Sequence, residues 1–313
     1  MNKRGCRNTV PFIVKKEVFI INKKQLSKTY PMWLGIPAGF VYTVFFIVPI
    51  ITAFFYSFTD WNMNDMDAAK FVGMRNIVNL FQDEVFLRSL WNTVLFAFCT
   101  TILKTVVGLL LALLVVQKFK GNSIFRTLFY LPCVLSCMIV GLLFTGILKK
   151  DGLINNFLTA IGQSEMARDW LGSYGTAMFW IIIIEVWMWA GFTMFLFISG
   201  LQSIPREYYE SAQIDGASGW QQFKKITLPL LAPSFTVVVT LNITGGLKVF
   251  DLVYSLTGGG PGFDTQVLST YTYRAFGMGL LGKSSASALI LSVFIVGVTF
   301  LLNKFLRSRE VDA

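Results

Sequence analysis

The chain has 313 residues, of which 54% are hydrophobic and 14% are charged. A typical soluble domain carries about 25% charged residues, so this composition excludes an ordinary soluble protein and places most of the chain in lipid. Histidine is absent, which removes the commonest metal ligand and general base. Three of the four cysteines lie within apolar runs, which favours reduced thiols over a disulfide framework. We therefore expect no metal site, no cofactor and no catalytic residue.

Apolar stretches long enough to cross a bilayer, which takes about 20 residues, occur along the whole chain. There are six of them: 33–58, 90–116, 124–148, 176–200, 228–250 and 286–306. The first follows a lysine-rich segment without a short apolar core or a cleavage site, so we predict a retained span rather than a signal peptide. The predicted fold is all-α, a polytopic membrane protein whose six transmembrane helices (residues 33–306) lie between a basic N-terminal tail (1–32) and a short C-terminal tail (307–313).

Basic residues are unequally distributed between the two sides of these spans. The two tails and the second and fourth connections carry 17 lysines and arginines, whereas the other three connections carry eight. The positive-inside rule therefore predicts that both termini are cytoplasmic. The basic excess indicates topology and contact with anionic membrane lipid, and no nucleic acid is needed to explain it.

One motif suggests a nucleotide site. Residues 277–284, GMGLLGKS, match the phosphate-binding pattern GxxxxGK[ST]. A phosphate loop needs a parallel α/β domain around it, and the connections here are too short to contain one. The charge distribution also places this segment outside the cell, away from ATP. We interpret it as a glycine-rich loop that enters the sixth span.

The connection between the fourth and fifth spans predicts a helical hairpin. Its sequence, residues 204–234, is IPREYYESAQIDGASGWQQFKKITLPLLAPS. Pro205 suits the first turn of a helix, and Gly216 permits a turn. Ser218 and Gln221 form a capping-box pattern for a second helix, and Pro229 marks the entry to the fifth span. The charge distribution makes this hairpin cytoplasmic. A surface hairpin that merely connects two spans is the alternative.

The hairpin resembles the EAA loop of ABC importer permeases, whose pattern is E-A-A-x3-G-x9-I-x-L-P. The matching positions are Glu210, Ser211, Ala212, Gly216, Ile226, Leu228 and Pro229, with Asp215 and Ala217 completing an Asp-Gly-Ala run. Ser211 departs from the commoner alanine, which exchanges one small residue for another. The resemblance implies that this coupling loop, residues 204–230, contacts separate ATPase subunits. The residues that it assigns to ATPase coupling are Glu210, Ser211, Ala212, Asp215 and Gly216.

Other segments narrow the resemblance to carbohydrate importers of the maltose and glycerol-phosphate class. They are residues 71–96 between the first two spans, Arg126 with Tyr130-Leu131-Pro132 at the third, and Phe250-Asp251, Leu256–Pro261 and Thr265 after the fifth. The first 28 residues resemble no segment of that class. The resemblance implies a non-catalytic permease subunit in the bacterial cell membrane that imports a sugar or oligosaccharide. It also implies a second, related permease subunit, two cytoplasmic ATPase subunits and an extracytoplasmic substrate-binding protein.

Polar side chains within spans mark a substrate pathway by default, because burying them in lipid is costly. Glu185 and Trp189 share one helix face, and a carboxylate beside an indole suits sugar hydroxyls and ring stacking. The candidate substrate pathway consists of Glu185, Trp189, Asn242 and Lys248. Three structural alternatives stay open: a buried pair of Glu185 with Lys248 or with Lys104, tryptophans that anchor the spans at the membrane interface, and Trp187 as part of the shared fold.

Two other functions are compatible with a polytopic membrane protein. A secondary transporter needs paired interrupted helices arranged as inverted repeats, and the sequence shows no such symmetry. A membrane-embedded enzyme lacks support because the chain has no histidine and no clustered pair of acids within the spans. Neither alternative explains the EAA-like loop.

Overall fold

A computed structural model describes residues 33, 35–63, 69–117 and 121–308 of the chain. The chain divides into two units, residues 1–52 and 53–313, and apart from the bounds of the first helix the account below concerns the second. Within the described residues the regular structure is helical, with a β-bridge between Thr59 and Phe71. The all-α prediction is therefore confirmed.

The helices are numbered here in chain order. They are α1 (Gly35–Tyr56), α2 (Arg75–Gln82), α3 (Glu84–Val116), α4 (Asn122–Val134), α5 (Cys137–Leu148), α6 (Leu153–Ala160), α7 (Thr176–Ser203), α8 (Arg206–Ile214), α9 (Gly219–Leu230), α10 (Ala232–Leu247), α11 (Asp251–Thr257), α12 (Leu268–Gly277) and α13 (Leu281–Arg307). The predicted N-terminal tail lies outside the described residues. Helix α13 continues to Arg307, where the predicted C-terminal tail begins.

Four of these helices, α1, α3, α7 and α13, are long and apolar enough to cross a membrane unbroken. They correspond to the first, second, fourth and sixth predicted spans. The other two predicted spans are bent pairs: α4 meets the segment 137–160 at 95°, and α9 meets α10 at 64°. The described residues thus provide six spans when each bent pair is counted as one. The predicted spans over 124–148 and 228–250 are thus each interrupted by a bend.

Proline explains both departures from straight helices. Pro132 lies inside α4 and lacks the N–H that a helix interior needs, and the chain becomes extended at Leu135 and Ser136. In the fifth span, Pro229 and Pro233 lie on either side of the turn at Leu231, and Pro233 occupies the first turn of α10. Helix α10 then ends at Leu247, three residues before the predicted boundary. A hydropathy profile records these segments as continuous because most residues that flank both breaks are apolar.

Close contacts through glycine hold the central helices together. Gly191 of α7 lies against the backbone of Phe129 in α4, where a side chain would collide with the Phe129 carbonyl oxygen. A Cβ at Gly108 of α3 would lie 2.5 Å from the Thr193 side chain. A Cβ at Gly246 of α10 would lie 2.7 Å from the Cα of Ala97 in α3. Small residues at helix interfaces let membrane helices approach closely, and this packing fixes the positions of α3, α4, α7 and α10.

We expect the change Gly191→Ala to lower the thermal stability of the purified protein, because the new methyl group has no space against the Phe129 backbone. The matched control is Gly297→Ala in α13, where a Cβ has no atom within 4 Å. The thermal stability of that control should equal or slightly exceed that of the wild type, since alanine favours a helix over glycine by up to about 1 kcal/mol. The measurement is the midpoint of thermal unfolding in detergent. Equal midpoints for wild type and Gly191→Ala would contradict the packing described here.

Candidate functional site

A cavity of about 520 Å³ lies between α3, α7, α10 and the start of α11. All four residues predicted for the substrate pathway, Glu185, Trp189, Asn242 and Lys248, lie on its wall. The wall also includes Lys104, Cys137, Phe192, Thr244, Phe250 and Asp251. The structure therefore brings together side chains that lie as far apart in the sequence as Lys104 and Asp251.

Glu185 forms a buried ion pair with Lys104. The Lys104 Nζ lies 3.1 Å from the Glu185 Oε1, and the two side chains are only 3% and 8% exposed. This contact decides between the two lysines considered as partners, because Lys248 is exposed at the C-terminal end of α10. Each charge compensates the other, so this part of the wall carries no net charge but keeps strong hydrogen-bonding groups.

The other two predicted residues contribute different chemistry. Asn242 is buried, and its amide Nδ2 lies 3.5 Å from the Thr193 Oγ1 on α7. Trp189 lies one turn after Glu185 on the same face of α7 and is half-buried, with its ring edge-on to Phe192. Trp187 is not on the cavity wall, and it packs edge-on against Phe144 of α5. The cavity thus offers an indole face, an amide and charged groups to one ligand.

Sequence reasoning did not assign the other wall residues to the substrate pathway, among them Lys104, Phe250 and Asp251. Lys104 was considered only as a partner of Glu185, and Phe250 and Asp251 only as part of a family resemblance. Asp251 lies in the first turn of α11, directly after the N-cap residue Phe250, whose backbone is not helical. The position of Asp251 could have been predicted from the sequence. An aspartate that follows an apolar span is favourable at the N-terminus of the next helix, because the helix dipole attracts a carboxylate there.

The predicted helical hairpin is confirmed as α8 and α9. Pro205 precedes α8 by one residue, and Gly216 makes the turn with a φ of +75°. The Ser218–Gln221 capping box is present: the Ser218 N–H donates to the Gln221 Oε1 at 2.7 Å, and the Gln221 N–H donates to the Ser218 Oγ at 3.4 Å. Local signals sufficed here because every contact lies within a few residues.

The hairpin is an exposed surface with its own internal support. Helix α8 contains no buried residue, and Trp220 on α9 is 71% exposed. The hydroxyls of Tyr209 and Thr227 lie 2.9 Å apart and join α8 to α9. Of the residues assigned to coupling, Ala212 is half-buried and the others are exposed: Glu210, Ser211, Asp215 and Gly216. Most of these residues are therefore free to contact another protein.

The segment that matches a phosphate loop has a structural role instead. The Lys283 Nζ lies 2.7 Å from the Asp83 carboxylate, and the Gly282 N–H donates to the Trp61 carbonyl oxygen at 2.9 Å. The Tyr271 hydroxyl also donates to Asp83, at 2.8 Å. Partial burial raises the pKa of Asp83, but hydrogen bonds from Lys283 and Tyr271 outweigh it, so the pKa is lowered overall. Burial and the same carboxylate raise the pKa of Tyr271. The ammonium and the amide that would hold a phosphate are thus engaged within the protein.

Comparison with known proteins gives consistent matches over most of the chain. A family model described as the binding-protein-dependent transport system inner membrane component matches residues 104–310. The chain is 37% identical over 290 residues to the probable ABC transporter permease protein YurN of Bacillus subtilis, a match that covers 91% of this chain and 99% of that protein. It is 34% identical over 276 residues to the trehalose/maltose transport system permease protein MalF of Thermococcus litoralis, covering 88% and 92%.

A solved structure also has this fold. A chain of a bacterial ABC transporter involved in the import of the acidic polysaccharide alginate is 26% identical and superposes with a TM-score of 0.79. The match covers 91% of this chain and 98% of that chain. The two chains therefore share this fold over most of their length.

We expect the Lys104–Glu185 pair to behave as one unit in stability. Removing one partner, in Lys104→Met or Glu185→Gln, should destabilise the protein by about 3–5 kcal/mol, because the remaining charge is buried without compensation. The double variant should recover most of that loss, since no charge is left. The measurement is thermal unfolding of all four proteins. A double variant no more stable than the worse single variant would contradict a direct pair.

Proposed function

This chain belongs to the family of binding-protein-dependent transport system inner membrane components and is a permease subunit of an ABC importer, and we propose that it imports a sugar or oligosaccharide. The observation that carries the proposal is the convergence of Glu185, Trp189, Asn242 and Lys248 on one cavity. Relatives named for trehalose and maltose, lactose and arabinooligosaccharides support a carbohydrate substrate. Family membership favours neither secondary transport nor a membrane-embedded enzyme.

The mechanism that we propose for this cavity uses its mixed surface. A sugar ring presents hydroxyls at its rim and C–H groups on its faces. The Asn242 amide and the charged groups at Glu185 and Lys248 can exchange hydrogen bonds with hydroxyls, and the Trp189 indole can pack against a ring face. Because Lys104 neutralises Glu185, an uncharged sugar meets no unpaired charge at this part of the cavity wall.

The partners in this proposal follow from the family and from the exposed surfaces. ATP hydrolysis takes place on two separate cytoplasmic ATPase subunits, and a second, related permease subunit completes the pathway. A solved structure of the alginate transporter, at 25% identity, includes a sugar-loaded periplasmic protein, which supports an extracytoplasmic binding protein here. The α8–α9 hairpin is the surface offered to the ATPase, through Glu210, Ser211, Ala212, Asp215 and Gly216.

Coupling in this proposal is mechanical. ATP-driven closure of the ATPase subunits displaces the hairpin, and α9 passes that displacement through the 64° bend at Leu231 to α10. Asn242 and Lys248 lie on or directly after α10, so the cavity wall moves with the hairpin. ATP binding favours one cavity orientation only through contacts that differ between the two states, and the hairpin supplies such contacts.

The proposed topology, with both termini in the cytoplasm of a bacterial cell, predicts opposite labelling of two exposed sites. In a cysteine-free background, Ser164→Cys should react with a membrane-impermeant thiol reagent in whole cells. Gln213→Cys on α8 should react only after permeabilisation. Its side of the membrane carries 17 of the basic residues in the loops and tails and the opposite side carries eight, so the positive-inside rule makes its side cytoplasmic. Both positions are exposed, so accessibility within the protein is matched. Labelling of Gln213→Cys in intact cells would reverse the orientation.

The coupling proposal predicts a specific defect in the hairpin variants Gly216→Val and Glu210→Ala. Valine at a φ of +75° strains the turn, and alanine removes the exposed carboxylate. Because Glu210 and Gly216 are both exposed, both variants should be produced normally but lose most sugar import, ATPase activity or ATPase co-purification. The matched control is Gly219→Val in the same hairpin. There a Cβ has open space and the backbone is helical, so import should be largely retained.

Normal sugar-stimulated import by both Gly216→Val and Glu210→Ala would show that the hairpin does not couple ATP hydrolysis to transport. Loss of the permease itself from the membrane would point to a folding role instead. Production, import and co-purification must therefore be measured on the same assembled complex.

A further inference from the structure

Three aromatic rings contact one another at the end of α10. Phe250 and Tyr254 stack with a centroid distance of 5.2 Å and an interplanar angle of 14°. Tyr273 of α12 packs edge-on against both rings, at 5.2 Å from Phe250 and 5.3 Å from Tyr254. We call these three residues the aromatic platform. Each ring supports the other two, so their orientations are fixed by mutual contact.

The aromatic platform is not part of the hydrophobic core. Tyr254 is 44% exposed and Tyr273 is 51% exposed, whereas Phe250 is half-buried beneath them. Large exposed rings that hold a fixed geometry offer flat, preorganised faces to a ligand.

The aromatic platform meets the cavity at Phe250. Phe250 lies on the wall of the 520 Å³ cavity and also on the wall of a neighbouring groove of about 390 Å³. Tyr273 lines that groove together with the hydroxyl-bearing residues Ser269 and Thr272. In the proposed topology this end of α10 is external, so an incoming molecule meets the rings before it reaches Glu185.

We propose that Phe250, Tyr254 and Tyr273 form an entry subsite that stacks against the C–H face of an uncharged sugar ring. This inference rests on the proposed function and adds a site and a substrate class to it. The aromatic π faces attract the partly positive C–H groups of a pyranose, while Lys248 and Asp251 beside Phe250 reach its hydroxyls. The charges on the cavity wall balance, with Lys104 and Lys248 against Glu185 and Asp251, so a neutral ligand fits better than an acidic one.

The experiment compares the changes Tyr254→Leu and Tyr273→Leu with the ring-retaining controls Tyr254→Phe and Tyr273→Phe. Each permease is assembled with its partner subunits and binding protein, and import of labelled trehalose, maltose, lactose and an alginate oligosaccharide is measured in proteoliposomes. The sugar imported by the wild type is then titrated onto the complex arrested with ATP and vanadate. We expect half-occupancy at a roughly three- to tenfold higher sugar concentration in the leucine variants. The phenylalanine variants should stay close to the wild type, because the ring is retained.

Each other outcome overturns the proposal in a distinguishable way. If the wild type imports a neutral sugar and the leucine variants bind that sugar as tightly as the wild type does, the platform is not a sugar subsite and the proposed function stands. If the leucine variants lose the second permease subunit on purification, the platform is a subunit contact. An equal loss in the phenylalanine variants would assign the effect to the hydroxyls rather than the rings. If the wild type imports only the acidic sugar, the neutral-ligand assignment fails. If it imports none, the proposed sugar substrate fails together with the platform.

Discussion

Lys104 and Glu185 impose the constraint on which the arrangement of the cavity depends. Both side chains are buried, and either charge alone would cost several kcal/mol in this interior, so α3 and α7 have to remain adjacent. Helix α10 packs against both of them through Gly246 and through Asn242, whose amide reaches Thr193. The ion pair and these two contacts together hold α3, α7 and α10 in place around the cavity.

The second constraint is the backbone, whose polar groups need partners wherever water is absent. Interrupted helices at a membrane are tolerated where the freed backbone is buried in protein or lines a cavity. The non-helical residues between α10 and α11, Lys248, Val249 and Phe250, all lie on the cavity wall. The helix thus ends where the cavity can supply partners for the free backbone N–H and C=O groups. The same break turns the chain, so that α11 and α12 place aromatic side chains beside the cavity.

Local and compositional features of this chain were predictable from sequence. Long apolar runs locate the helices, and the capping box at Ser218 and Gln221 locates α9, because each depends on residues close together in the chain. The bend after Pro132 was not predictable from hydropathy, since the residues around it are apolar on both sides. Glu185 pairs with Lys104 rather than Lys248 because of how α3 packs against α7. Lys104 and Glu185 are 81 positions apart in the sequence, so local patterns do not reveal this pair. Functional roles of the cavity residues remain predictions.

The glycine contacts between the central helices have a further consequence for how this subunit can deform. At Gly191 the Phe129 backbone fills the space of a side chain, and the residues one turn away on either side are Trp187 and Phe195. A slip of α7 by one turn in either direction would drive a large ring into that backbone, so shear between α4 and α7 is blocked. Close contacts at Gly108 and Gly246 also hold α3 against α7 and α10. In the proposed coupling mechanism, force applied at the α8–α9 hairpin would therefore rotate these four helices as one stiff block, and bending would occur at the proline-marked breaks.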